Sequence, residues 1–328
     1  MEMVVFNHSL DKIFRFLILK TGNERNKKII LKTKNILFEG FDLKWLFKNQ
    51  KFDFSLSFAE SPKNYFRFSY NDFGEKHLFH EKIFKIFKIF KQGSYSILTL
   101  KKILKIMNVP NYPHQTTLGF EWQNTTKFPR IKLYFEELFH FYSRLEIEKK
   151  LKKVSQILKL SFKNVFPKNE QIGAFCIDFF PKKKENAKVY FLFQEKKILE
   201  KEIEKVGLKI KKEQIRNFLN CLEEKKKFFY LTYRISSNNT LVSAKIYQIF
   251  EVQQILDFSE LIFRIFSFLK ETNIPKATSF LSQLINLSKK NHTVFYPVIF
   301  ASDFPLVGCS QENFPKYDLY FSVKPIQQ

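Results

Sequence analysis

Two hydrophobic periods alternate along this chain. Runs in which every second residue is apolar, the mark of a strand with one buried face, are FDFSLSF (52–58), LGFEW (118–122), GAFCIDFF (173–180), FFYLTYRI (228–235) and FYPVIFA (295–301). Each is followed by a second such run, and the turns between carry the expected punctuation, such as ESPKN (60–64), PKKKEN (181–186) and SSNN (236–239). Between these hairpins the period lengthens to about three and a half. It does so in EKIFKIFKIFKQ (81–92), SILTLKKILKIM (96–107), EELFHFYSRLEIEKKLKKVSQIL (136–158), KILEKEIEKVGLKIKKEQIRNFLNCLEE (197–224), FSELIFRIFSFLKE (258–271) and ATSFLSQLINLS (277–288). The repeating unit is therefore strand, strand, helix, helix.

A phrase repeats with the unit. It reads Tyr65-Phe-Arg67-Phe-Ser69, Arg130-Ile-Lys132-Leu-Tyr134, Ala187-Lys188-Val-Tyr190, Ala244-Lys245-Ile-Tyr247 and Lys316-Tyr-Asp318-Leu-Tyr320. From Arg67 the steps to Lys132, Lys188, Lys245 and Asp318 are 65, 56, 57 and 73 residues, a quasi-period of five units. Lysine is abundant enough here for K-x-Y pairs to arise by chance. These differ because three of them fall late in the second strand of successive hairpins, with the same facing. The expected fold class is α+β, a single domain over 1–328 with ten mainly antiparallel strands near 52–70, 117–135, 173–193, 228–250 and 295–323. Ten strands suffice to close into a barrel with helices outside.

The strand faces give that barrel an unusual polarity. Phe52, Phe54, Leu56 and Phe58 oppose Asp53, Ser55 and Ser57; Ile131, Leu133 and Phe135 oppose Arg130, Lys132 and Tyr134; Val189 and Phe191 oppose Lys188 and Tyr190. If helices cover the apolar face, the lumen receives Arg67, Lys132, Lys188, Lys245 and a ring of tyrosine hydroxyls. Buried cations are expensive alone, so such a lumen implies an anion brought by a ligand. Cations interleaved with phenols suit an organic diphosphate, and aromatic faces shield an allylic carbocation once diphosphate leaves. Glu121 and Asp178 are also expected to face inward.

Composition narrows the remaining classes. With 42 Phe against 8 Gly, the chain has far too much apolar surface to be disordered. Its formal charge of +24 would ordinarily suggest nucleic acid, but only 8 of the 56 basic residues are Arg, so the charge reads as solubilising and no nucleic-acid partner is expected. No 18-residue stretch is free of charge, so no membrane span is expected. The start, MEMVVFNHSLDKIFRF, lacks the plan of a signal peptide, and three widely spaced cysteines form no disulfide framework. Both features point to the cytoplasm. Signatures for nucleotides, zinc and nucleophilic serine are missing, as is the aspartate-rich magnesium motif of the helical prenyl-chain synthases. His140 and His292 read as structural or exposed.

These features resemble the ABBA-type aromatic prenyltransferases, and within that superfamily most nearly the cyanobactin peptide prenyltransferases. LFEGF (37–41), IGAFCIDFF (172–180) and DLYFSV (318–323) carry the likeness, which runs over nearly the whole chain. The resemblance implies a solvent-filled barrel that moves a dimethylallyl or geranyl group from its diphosphate to a peptide side chain, amino acid or other aromatic acceptor. It implies Asp53 as the base; the inward-facing Glu121 and Asp178 are further candidate catalytic carboxylates, able to hold the acceptor, the alternative for each carboxylate being a structural pairing with a lumen lysine. Arg67, Arg130, Lys132, Lys188 and Lys245 would bind diphosphate, and Tyr134, Tyr190, Tyr247 and Tyr320 would shield the carbocation. Asp318 departs from a position that is often basic in the family. Magnesium is compatible as a screen for diphosphate, though no acidic motif requires it. The competing classes are a non-catalytic barrel that holds an anionic lipid or nucleotide, and a basic nucleic-acid-binding protein.

Overall fold

A computed structural model of the chain describes residues 2–39, 52–58, 65–72, 76–90, 97–107, 116–161, 170–181, 185–205, 212–221, 226–235, 241–250, 255–272, 274, 277–291, 293–304 and 316–325. His292 and part of the LFEGF segment lie outside them. Ten strands form one closed antiparallel barrel: β1 (Phe52–Phe58), β2 (Tyr65–Asp72), β3 (Thr116–Gln123), β4 (Arg130–Phe135), β5 (Gln171–Phe179), β6 (Asn186–Phe193), β7 (Lys226–Ile235), β8 (Leu241–Phe250), β9 (Thr293–Phe304) and β10 (Lys316–Pro325). Each strand pairs with its sequence neighbours, and β1 closes on β10 with Ser55 opposite Tyr320.

Helices coat the outside. In chain order they are α1 (Glu2–Lys20), α2 (Lys27–Phe38), α3 (Lys76–Ile89), α4 (Ile97–Ile106), α5 (Arg144–Leu158), α6 (Lys196–Lys205), α7 (Lys212–Asn220), α8 (Ile255–Glu271) and α9 (Ala277–Lys290). Among the described residues α1 and α2, which the strand phrases gave no reason to expect, precede the first hairpin. On α1, Leu10, Ile13, Phe14, Leu17 and Ile18 are buried at helical spacing. Phe16 of α1 lies 5.9 Å from Phe280 of α9, so the first helix meets the last. The pattern over 136–158 predicts one continuous helix, and the structure breaks it. Glu137 adopts φ 53°, Leu138–His140 make a short 3-10 turn, and α5 starts only after Ser143. Ser143 and Glu146 form a reciprocal capping box, which satisfies helix-end N–H groups that a continuous helix would not have exposed.

The core lies between sheet and helices, not inside the barrel. Phe66, Phe68, Phe120 and Trp122 point outward from β2 and β3 and stack at centroid distances of 5.2 to 6.1 Å. Phe14 of α1 packs on Phe68 at 5.3 Å, and Phe87 of α3 on Phe179 of β5 at 5.4 Å. On the opposite side Phe218 of α7 meets Phe300 of β9, and Phe268 of α8 meets Tyr317 of β10. Most phenylalanine of the described strands thus goes to this outer shell. Strict alternation then leaves the polar half of every strand pointing inward.

Candidate functional site

Register fixes which side chains share the lumen. Lys132 of β4 stands opposite Gly119 and Asp178, Lys188 of β6 opposite Cys176 and Arg234, and Lys245 of β8 opposite Thr232 and Asp303. Each second strand leaves a hairpin turn, so in every K-x-Y phrase the cation lies nearer the turn end and the tyrosine deeper. Two layers result, one ionic and one aromatic.

The ionic layer is a network of shared carboxylates. Glu121 accepts three cations: Arg67 Nε at 2.7 Å, Lys132 Nζ at 3.1 Å and Arg130 Nη2 at 3.2 Å. Asp178 faces Lys188 Nζ at 3.2 Å and Arg130 Nη1 at 3.9 Å. Asp318 is paired with Lys245, with Arg67 Nη1 at 3.2 Å and with Lys316 Nζ at 4.0 Å. All three carboxylates are at most 3% exposed. Burial alone would favour their neutral forms, but the surrounding cations outweigh it and hold Glu121, Asp178 and Asp318 well below the usual carboxylate range. Among the described lumen residues seven basic side chains (Arg67, Arg130, Lys132, Lys188, Arg234, Lys245, Lys316) stand against four carboxylates (Glu121, Asp178, Asp303, Asp318), an excess of three basic groups. The surplus has a cost. Burial pulls Lys132 down to about 7 despite Glu121, and Lys316 down to about 8 despite Asp318.

The aromatic layer is contiguous. Ring centroids run from Tyr134 to Tyr190 at 6.2 Å, from Tyr190 to Tyr247 at 5.4 Å and from Tyr247 to Tyr320 at 6.1 Å, and Tyr230 meets Tyr190 edge-on at 6.0 Å. Ala174, Cys176, Ala301, Ile249 and Ile299 complete the lining. Burial pushes the Tyr134, Tyr190 and Tyr247 hydroxyls well up, so these three phenols stay neutral. Two glycines make room for it. A Cβ on Gly119 would lie 3.2 Å from the Tyr134 ring, and one on Gly173, beside a bulge in β5, would lie 2.2 Å from the Tyr230 ring. The two layers touch at Lys245, whose Nζ is 5.0 Å from the centre of the Tyr247 ring and 5.6 Å from that of Tyr320.

No sequence-family model matches the chain, and no curated protein matches it. Solved structures do. A 5-dimethylallyl tryptophan synthase from Streptomyces coelicolor, in complex with DMASPP and Trp, superposes with a TM-score of 0.74 over 96% of this chain and 94% of its own, at 10% identity. The apo form of the prenyltransferase PriB gives 0.72 over 97% and 98%, also at 10% identity. A 6-dimethylallyltryptophan synthase from Micromonospora olivasterospora, with the same two ligands, gives 0.71 over 96% of each chain at 12% identity. The fold is that of the aromatic prenyltransferases.

Within this prenyltransferase fold the structure brings together nearly all the residues singled out in the sequence. Arg67, Arg130, Lys132, Lys188 and Lys245 share the ionic layer with Glu121 and Asp178, and Tyr134, Tyr190, Tyr247 and Tyr320 form the cage. Asp53 lies on β1 opposite Ser69, in the inward-facing register; its side chain is outside the described residues. Others were missed. Arg234 and Asp303 belong to the odd strands, which carry no repeated phrase, although alternation through Tyr230, Thr232 and Arg234 would have found the first. Cys176 and Thr232 are buried in the lumen, and neither type stands out in a one-dimensional search for charge. Among the described residues no group of three or more His, Cys, Asp or Glu side chains could hold a metal, and Glu121, Asp178 and Asp318 are each paired with cations. No helix of the described residues is long and apolar enough to cross a membrane.

Proposed function

We propose that the protein transfers a dimethylallyl or geranyl group from its diphosphate to an aromatic or nucleophilic acceptor, a peptide side chain or an amino acid. The observation that carries this reading is the junction at Lys245, where a buried, cation-rich layer abuts a tyrosine cage. An alkyl diphosphate carries about three negative charges at neutral pH, and the described lumen residues hold more cationic groups than carboxylates to receive them. The allylic C–O bond breaks heterolytically and its electron pair leaves on the diphosphate, stabilised by Arg67, Arg130, Lys132, Lys188, Lys245 and their neighbours. The carbocation is held against the faces of Tyr134, Tyr190, Tyr247 and Tyr320. An electron pair of the acceptor forms the new bond to the allylic carbon, and the acceptor then loses a proton.

Asp53 is the favoured acceptor of that proton. Glu121 and Asp178, expected in the sequence as further catalytic carboxylates, are held ionised by two or three cations each, which makes them weak bases; their role here is to orient the cations. Any magnesium would arrive on the diphosphate. The buried, free thiol of Cys176 and the free thiol of Cys221 suit a reducing, cytoplasmic setting. Incubation with dimethylallyl and geranyl diphosphates and a panel of tryptophan, tyrosine, phenols and cyclic peptides should yield an acceptor heavier by one prenyl unit. Binding of the diphosphates without any such product across the panel would make the barrel a carrier and end the catalytic reading.

A further inference from the structure

Asp318 stands where three cations from three strands converge: Arg67 of β2, Lys245 of β8 and Lys316 of its own strand, all within 4.0 Å of its carboxylate. The group is 1% exposed and fully ionised, and one of its partners, Lys245, lies over the rings of Tyr247 and Tyr320. Of the lumen carboxylates, Asp318 therefore holds the cation at the boundary where an allylic C–O bond would part. A carboxylate there does two opposing things. It lets three buried cations coexist when no anion is bound, and it repels any phosphate that comes to the same cations.

We propose that Asp318 is a built-in counter-anion of the diphosphate site, which stands in for a ligand phosphate among Arg67, Lys245 and Lys316 and loosens the protein's hold on the diphosphate product. The proposal rests on the diphosphate-binding reading above and adds a positioning residue that works against ligand affinity. A purely structural ion pair would predict the reverse, since its loss would disorder Arg67 and Lys245 and weaken binding.

The test is titration of inorganic diphosphate into the full chain carrying Asp318→Asn, beside wild type and the control Glu204→Gln, which removes the same charge from the exposed surface of α6. Asp318→Asn should bind at least tenfold more tightly and show stronger product inhibition by diphosphate in turnover, while the control stays within twofold. Equal or weaker binding by Asp318→Asn, with wild type binding, overturns this inference alone; wild type that fails to bind removes the reading beneath it. If Asp318→Asn does not fold by itself, refolding with inorganic diphosphate decides. Recovery of folded protein only with the anion supports substitution of one anion for the other, and no recovery overturns it.

Discussion

Binding of a prenyl diphosphate should be accompanied by proton uptake, because the anion enters a layer with two lysines depressed to about 7 (Lys132) and about 8 (Lys316). Lys132 faces Glu121 and Asp178 but also Arg67 and Lys188; Lys316 faces Asp318 and Asp303 but also Arg67 and Lys245. At pH 7.5, without ligand, Lys132 is about one quarter protonated and Lys316 about three quarters, so an anion that drives both to the ammonium form takes up about one proton. Uptake approaches about two protons at pH 9. By linkage the affinity falls as pH rises through these values, by up to about five-hundredfold between pH 7 and pH 9. Stability without ligand runs the other way. At these two lysines the folded chain binds fewer protons than the unfolded one between about pH 7 and pH 10, so they contribute stability that grows as pH rises across that window. Calorimetric titration of dimethylallyl thiolodiphosphate in buffers of different ionisation enthalpy measures the uptake directly. An affinity constant within twofold from pH 7 to pH 9, with heats independent of buffer, would refute the reasoning.

Two substitutions separate the layers. Lys245→Met removes one charge-assisted contact worth about 1.5–3 kcal/mol and should weaken diphosphate binding about ten- to a hundredfold, read by the same titration. The fold should survive, because Asp318 retains Arg67 and Lys316. Gly173→Ala puts a methyl group 2.2 Å from the Tyr230 ring and should cost about 1–3 kcal/mol in denaturant unfolding; an unchanged midpoint would mean that Tyr230 swings away freely.

The hairpins were legible because period-two alternation and the recurring K-x-Y phrase are local signals, and both survive into the barrel unchanged. Lys132, Lys188 and Lys245 could be assigned to one interior from spacing alone, since equal facing on successive hairpins leaves few other places for them. The carboxylates were harder. Glu121 and Asp178 were rightly turned inward, but their pairing with two or three cations each depends on contacts across strands, such as Arg67 with Glu121 and Arg130 with Asp178, that no sequence interval encodes. Asp318 could be seen as an odd residue in the last phrase, yet its partners on β2 and β8 lie 251 and 73 residues away. The helix broken before α5 shows a different limit. An apolar period continued through Ser143, and only the capping geometry ended it.

Because the outward residues of each strand hold the helices while the inward residues line the lumen, the barrel separates the packing of its shell from the chemistry of its interior at neighbouring positions. Phe120 and Glu121, or Leu133 and Lys132, are adjacent in the chain yet answer to different pressures. Exchanges on the inward face therefore leave the phenylalanine shell in place, which gives a laboratory library a simple rule: randomise alternate residues only, and spare the glycines that make room for the tyrosines.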